Sequence, residues 1–403
     1  MDLVLEMPAA AEIGSRGLNV MEQRTRMRWW AAVAAALAVP GLMGCAGFFP
    51  PINGGGGGGG STGNQVYVAN KTASSLGGFS IGTGTLTTVS NSPMAAGYVP
   101  LSMVVTPSNG LLYVGAANGI FVYFINANGS LTAPSKGAQQ VAVWATSVDV
   151  SPDGQWLIAL DGTTQQLDIF QINASTGALT SVTSPATYSA TSGVWQPSQV
   201  KVSQDGTLIF AALGTGGDVV FTFNTTNGTA VLSQTLATGN KTTGDYGLAV
   251  NSKTTYLYIA RSGANGGVAV FSIGSGGSLT PVTGTPFAAG SGTFSVALDS
   301  TGTYAYAANR TDGTISGYTI VPGATAAALT LTPLSGSPYA SGSGVQSIGI
   351  DRTGKYLLAA AVGGAPDLTM YSFDIAVPGK LKPATSVATG TDPAGASTLA
   401  LTR

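Results

Sequence analysis

Tyr67-Val68-Ala69-Asn70, then Phe79-Ser80-Ile81, then Gly84-Thr85-Leu86-Thr87: an apolar strand ending in small residues, an aromatic-led strand, and a Gly-x-Leu-Thr step. The phrase keeps returning. Its first element recurs at Tyr113, Leu157, Ile209, Tyr258, Tyr306 and Leu358, at intervals of 44 to 52 residues, the period range of propeller blades. Its second recurs as Tyr123-Phe124-Ile125, Phe170-Gln171-Ile172, Phe221-Thr222-Phe223, Phe271-Ser272-Ile273, Tyr318-Thr319-Ile320 and Tyr371-Ser372-Phe373, aromatic first each time. Alternation at period two predicts strands, and no stretch beyond residue 65 carries a sustained helical period with caps.

Ahead of each first element lies a turn phrase, Ser151-Pro152-Asp153-Gly154 in the clearest case, with Gln204-Asp205-Gly206, Ser300-Thr301-Gly302 and Arg352-Thr353-Gly354 as variants. Each unit then supplies four antiparallel strands, and the whole predicts an all-β fold, a seven-bladed β-propeller over residues 65–403. The repeat begins without its first strand and ends, at Ser397 to Leu401, with such a strand and nothing after it. The two termini therefore complete one blade between them. Equivalent positions in the innermost strands are Ser102, Ser147, Gln199, Gly247, Ser295, Ser347 and Thr398, all small or polar. Crowding at the axis accounts for them better than a functional polar ring does. Asp149 and Lys201, in equivalent positions of adjacent blades, are expected to form a structural ion pair.

Charged residues make up only 8% of the chain, against about 25% in ordinary soluble domains, and the formal net charge is -1. The N-terminus places such a surface outside the cytoplasm. Arg24, Arg26 and Arg28 precede an apolar run from Trp29 to Val39, and Leu42-Met43-Gly44-Cys45 has the form of a bacterial lipobox. Residues 1–44 are thus expected to be a signal peptide, with 1–20 pointing to a mis-assigned start and Met21 or Met27 as the true one. Cys45, the single cysteine, would carry lipid, and residues 45–64, with seven consecutive glycines from Gly54 to Gly60, would form a tether. The expected location is the bacterial cell envelope, lipid-anchored at the outer membrane or cell surface.

The chain has no His, and its glutamates, Glu6, Glu12 and Glu22, all precede Cys45. A Ser-His-Asp triad, a Cys-His pair and any His-ligated metal are excluded, so no metal and no cofactor are expected. Acid/base chemistry falls to Asp, Lys, Arg or Tyr. Near-zero net charge without a basic block argues against nucleic acid.

In a four-stranded blade, the loops joining strands two to three and those joining one blade to the next share one face. Counting along the repeat puts Lys71, Asp161, Arg261 and Arg310 in the first kind of loop. Tyr98, Trp144, Trp195, Asp245 and Tyr246 fall in the second. Aromatic rings with a few charges around a ring-shaped cleft suit a sugar, lactone or peptide, with Tyr98, Trp144, Trp195, Arg310 and Lys71 as candidate ligand-binding residues. Arg261, Asp161 and Asp245 are the candidate catalytic set. Packing offers an alternative account, in which the aromatics plug the channel and the arginines bond neighbouring carbonyls.

Ser151-Pro152-Asp153-Gly154, Tyr67-Val68-Ala69-Asn70, Tyr306-Ala307-Ala308-Asn309 and the aromatic-x-Ile strands followed by Gly-x-Leu-Thr resemble the lactonase family of seven-bladed propellers, the phosphogluconolactonase-like group with YVTN-type repeats. The resemblance spans about residues 65–403. It implies a fold in which enzymatic members open or close lactone rings using Arg with His or Glu in the central cleft. Arg261 and Arg310 are present here; His and a Glu beyond Cys45 are not. Two functions are expected: a binding module for a glycan, lactone or protein, and, as the alternative, a lactone hydrolase in which Asp activates water and Arg stabilises the oxyanion.

Overall fold

The computed structural model describes residues 63–403 apart from 136, 183, 192, 239 and 240; the expected signal peptide, Cys45 and most of the tether lie outside the described residues. The described residues form seven antiparallel sheets of four strands in sequential order, four of them with a short fifth strand paired to the third. Blade one joins Gln65–Asn70, Ser75–Ile81 and Leu86–Thr88 to Ala396–Leu401, its innermost strand. The innermost strands of blades two to seven are Pro100–Val105, Ala145–Val150, Gln199–Val202, Gly244–Val250, Thr293–Leu298 and Val345–Ile350. Each packs on the next, and Ala396–Leu401 packs on both Val345–Ile350 and Pro100–Val105, closing the ring.

The second strand of each blade is buried on both sides, which is why it reads as a nearly continuous apolar run. Along Trp156–Asp161, Leu157 and Ala159 face blade two while Trp156, Ile158 and Leu160 face blade four. Seven hydrophobic clusters result, each shared by two neighbouring blades. Tyrosines add a directed bond to this packing. The hydroxyls of Tyr67, Tyr113 and Tyr306 donate to the carbonyls of Gly129, Gly177 and Gly379 in the next blade, at 2.8, 2.9 and 2.6 Å. Those glycines sit at φ of 81°, 72° and 82°, where a side chain would be strained.

One polar side chain ends every innermost strand and locks the turn to the second strand. Thr106, Ser151, Ser203, Asn251, Asp299 and Asp351 each accept the backbone N–H five residues on, that of Leu111, Trp156, Leu208, Tyr256, Tyr304 and Tyr356. The same pairs also close with a backbone bond in the other direction. In blade one no covalent turn exists, yet the bond is there: Gln65 N–H donates to Thr402 Oγ1 at 2.9 Å, and Thr402 N–H to the Gln65 carbonyl at 3.1 Å. The closure is thus a turn without its chain.

Blades four and five meet at a buried charge cluster. Arg261 donates from Nε and Nη2 to Asp245 Oδ1 and Oδ2, both at 2.7 Å, with the Asp245 side chain fully buried. Beside them lies Asp218, also buried, neither of whose oxygens accepts a hydrogen bond. Burial, then the adjacent Asp245 carboxylate, push the Asp218 carboxyl well above the ordinary 3.8. A protonated Asp218 can donate to Asp245, so two carboxyl groups and one guanidinium balance to neutrality.

Two outcomes follow from these joints. Thr402→Val leaves the buried Gln65 N–H without its acceptor and should cost about 1–3 kcal/mol, read from the urea midpoint; an unchanged midpoint would show that closure does not use this bond. A carboxyl whose folded pKa is raised contributes stability below its unfolded pKa and loses it as pH rises through the folded one. The native chain should therefore lose stability above about pH 4, by at most about 1.4 kcal/mol per pH unit from this group. Asp218→Asn should flatten that fall, and parallel melting curves against pH for the two proteins would refute the assignment.

Candidate functional site

A cavity of about 760 Å³ runs along the axis, lined by the innermost strands of all the blades. The seven small or polar positions recognised in the sequence all line it, and four of them are bonded sideways. Ser147 Oγ accepts Val200 N–H at 3.0 Å, Gln199 Oε1 accepts Leu248 N–H at 2.5 Å, Ser295 Oγ accepts Ile348 N–H at 3.4 Å and Ser347 Oγ accepts Leu399 N–H at 3.1 Å. Each bond crosses from one blade to the next. At Gly247 a Cβ would lie 2.6 Å from the Phe294 carbonyl oxygen, so there the backbones touch directly. Space at the axis sets the size of these residues, as expected, and their polarity stitches the ring.

Six innermost strands carry a register shift one residue earlier, at Ser397, Leu101, Thr146, Tyr246, Phe294 and Gln346. A bulge of this kind re-aims one side chain. All six of these residues line the cavity. The Tyr246 and Phe294 rings stack at 4.9 Å between centroids and 18° between planes, and the Arg310 guanidinium lies 5.2 Å from the Phe294 centroid, within cation–π range.

The mouth at this end is built by pairing the two kinds of loop. Lys71 N–H donates to the Gly395 carbonyl, Gly162 N–H to that of Trp144, and Arg310 N–H to that of Gly292, at 2.9, 2.7 and 2.9 Å. Trp144 lies flat over Gly162, where a Cβ would stand 2.7 Å from the ring, and remains 42% exposed. Of the sequence-derived candidates, Lys71, Trp144 and Arg310 line the cavity.

The other candidates are placed elsewhere. Tyr98 is buried, stacked on Phe121 at 3.7 Å and bonded to the Tyr123 hydroxyl. Trp195 packs against the core between blades three and four and donates from Nε1 to the Tyr188 hydroxyl at 3.3 Å. Asp161 Oδ1 accepts from Thr163 N–H, Thr163 Oγ1 and Thr164 N–H within its own loop. Burial acts to raise its pKa, but these hydrogen bonds outweigh it and hold the carboxyl below the usual range. Asp245 and Arg261 satisfy each other in the blade four–five joint. None of these five lines the cavity.

Among the described residues lining the cavity, Asp149 is the one carboxylate. It sits near the opposite end, where its Oδ2 accepts Val202 N–H at 2.9 Å and lies 3.3 Å from Lys201 Nζ, the ion pair expected from the sequence. Arg403 Nη2 approaches its other oxygen at 3.8 Å. Phe294 and Arg403 were not singled out in the sequence. Phe294 was legible in one respect, since it precedes Ser295 as Tyr246 precedes Gly247. Among the described residues, no group of three or more His, Cys, Asp or Glu side chains is gathered as a metal site would need.

The model of the seven-bladed β-propeller lactonase family matches residues 130–243 and 215–395. No curated protein sequence gives a significant match. Similar solved structures include a candidate 6-phosphogluconolactonase from Bacteroides uniformis, at 19% identity and a TM-score of 0.66 over 81% of this chain and 97% of that one. A second candidate 6-phosphogluconolactonase, from Bacteroides fragilis, is similar at 17% identity and a TM-score of 0.67 over 85% and 98% of the two chains. The periplasmic gluconolactonase of Pseudomonas aeruginosa is similar at 17% identity and a TM-score of 0.64 over 84% and 99%. At these identities the structures speak for the fold alone. Seven four-stranded blades, closed by the two ends of the chain and matched by the family model over more than half its length, establish that the chain belongs to the lactonase family of seven-bladed β-propellers.

Proposed function

We propose that the protein is a lipid-anchored binding module of the bacterial envelope, held through Cys45 and the glycine-rich tether, which takes a ring-shaped polar ligand such as a sugar acid or its lactone at the aromatic mouth of the channel. The observation that carries this is the Tyr246–Phe294 stack with Arg310 over it, lining the same cavity as exposed Trp144. Aromatic faces stack on the C–H faces of sugar rings, while Arg310 and Lys71 donate to hydroxyl or carboxylate oxygens. Such a site binds without needing a proton acceptor.

Lactone hydrolysis is a second reading, favoured by family membership and by the fold shared with a periplasmic gluconolactonase. It needs a group to activate water and a donor for the developing oxyanion. Asp149 is the lining carboxylate, and Lys201 and Arg403 beside it are donors. On this reading the chemistry falls to Asp149, which lines the cavity, rather than to Asp161 or Asp245, which do not.

Titrating residues 61–403 with a panel of sugar acids and lactones, followed by tryptophan fluorescence, should show saturable binding. Trp144→Ala and Phe294→Ala should each weaken it roughly tenfold with unchanged circular dichroism; affinity unaffected in both would reject the aromatic mouth. Acid release from the same lactones, corrected for spontaneous opening, tests the second reading. Turnover that vanishes in Asp149→Asn would establish a hydrolase, and no turnover in the native protein would remove that reading.

A further inference from the structure

The charges of this chain are not spread evenly. Of its sixteen Lys and Arg residues, five line one cavity, Lys71, Lys201, Arg310, Arg352 and Arg403, against the single carboxylate of Asp149, in a protein whose formal net charge is -1. Low-dielectric walls around a channel lined by one sign of charge focus the field within it. Lys71 and Arg310 belong to the aromatic mouth. The other three lie at the turn end of the innermost strands, roughly 10–15 Å away at about 3.3 Å per strand residue.

We propose that this turn end is a separate binding site for a small oxyanion, phosphate or carboxylate, held by Lys201 and Arg403 with Arg352 beside them. Three features make it a built site. Arg403 is fixed by a double bond pair to Asn109, its N–H donating to Oδ1 and its carbonyl accepting from Nδ2, both at 2.8 Å. Asn109 holds its own left-handed turn position at φ 56°. Asp149 then orders the two cations, Lys201 at 3.3 Å and Arg403 at 3.8 Å, while leaving their side chains 31% and 30% exposed to the channel.

A single carboxylate shared by two cations leaves positive charge over. Arg352, which donates to the Gly63 carbonyl, also lines the cavity. Even with a terminal carboxylate on Arg403 counted, the lining cations outnumber the acids. A dianion placed between Lys201 and Arg403 would receive charge-assisted bonds from both and draw on donors already held in place. This site stands apart from the aromatic mouth and does not rest on the ligand proposed there.

The test is calorimetric titration of the full chain with inorganic phosphate at low ionic strength. Saturable binding is expected, weakening roughly tenfold in Lys201→Gln and vanishing in Lys201→Gln/Arg403→Gln, with Lys382→Gln, on the outer strand Leu381–Val387, unchanged. The same titration with O-phosphoserine separates a free anion from a phosphoryl group on a larger molecule. Equal affinities assign the former and tighter binding of the ester the latter, provided both depend on Lys201. If Lys201→Gln unfolds, Arg403→Gln serves alone, since its pairing with Asn109 is through backbone atoms. No binding of phosphate at millimolar concentration, or affinity that survives the double variant or falls equally in Lys382→Gln, would overturn the proposal.

Discussion

The polar side chain that ends each innermost strand is the interaction on which the ring depends. In six blades it accepts the N–H five residues ahead, across a covalent turn; in the seventh Thr402 accepts Gln65 N–H across the gap between the chain ends. A ring must be closed somewhere without a covalent link. The entropy of bringing distant chain ends together rises only slowly with length, about 0.6 kcal/mol for each doubling. A joint that repeats the bonds of the other blades can therefore hold ends more than 300 residues apart, as the Gln65–Thr402 pair does. Thr402 immediately precedes Arg403 at the end of the channel, so closure and channel chemistry share one short segment.

Closing seven strands around an axis then limits what the channel can present. The position nearest the neighbouring blade is occupied by Ser147, Gln199, Ser295 or Ser347 bonded sideways, or by Gly247 where backbone meets backbone. These side chains are spent on the fold. What remains free to vary is the bulged residue at one end of each strand and the residues beside the turn at the other. A propeller of this design offers a ligand about one side chain per blade at each mouth, which suits recognition by a few stacked rings and charges.

The repeat, the blades and the closure were legible because they are written at two periods, alternation within strands and recurrence between blades. The Asp149–Lys201 pair was legible for the same reason, since equal positions in adjacent blades must be neighbours. Loop counting brought Lys71, Trp144, Tyr246 and Arg310 to the cavity but carried Tyr98, Trp195, Asp161, Asp245 and Arg261 with them. Asp245 and Tyr246 show why. They are adjacent in sequence, yet the bulge turns Tyr246 into the channel while Asp245 points back to Arg261 between blades. A one-residue irregularity decides which side chain a ligand can meet, and period-two patterning carries no signal for it. Arg403 was hidden differently, because its place depends on Asn109, a partner 294 residues away.

The two ends of the channel differ in kind, and this follows from which loops make them. Blade-to-blade connections are free to vary in length and bring Trp144 and the bulged Tyr246 and Phe294 to one mouth. The opposite mouth is made by short turns under the bonding rule that ends every innermost strand, so it can gain function only at residues adjoining the lock: Lys201 two before Ser203, Arg352 one after Asp351, Arg403 one after Thr402. Lys201 and Arg403 meet there at Asp149, whose Oδ2 is held by Val202 N–H from the next blade. The fold supplies this polarity without a single histidine or a glutamate in the propeller.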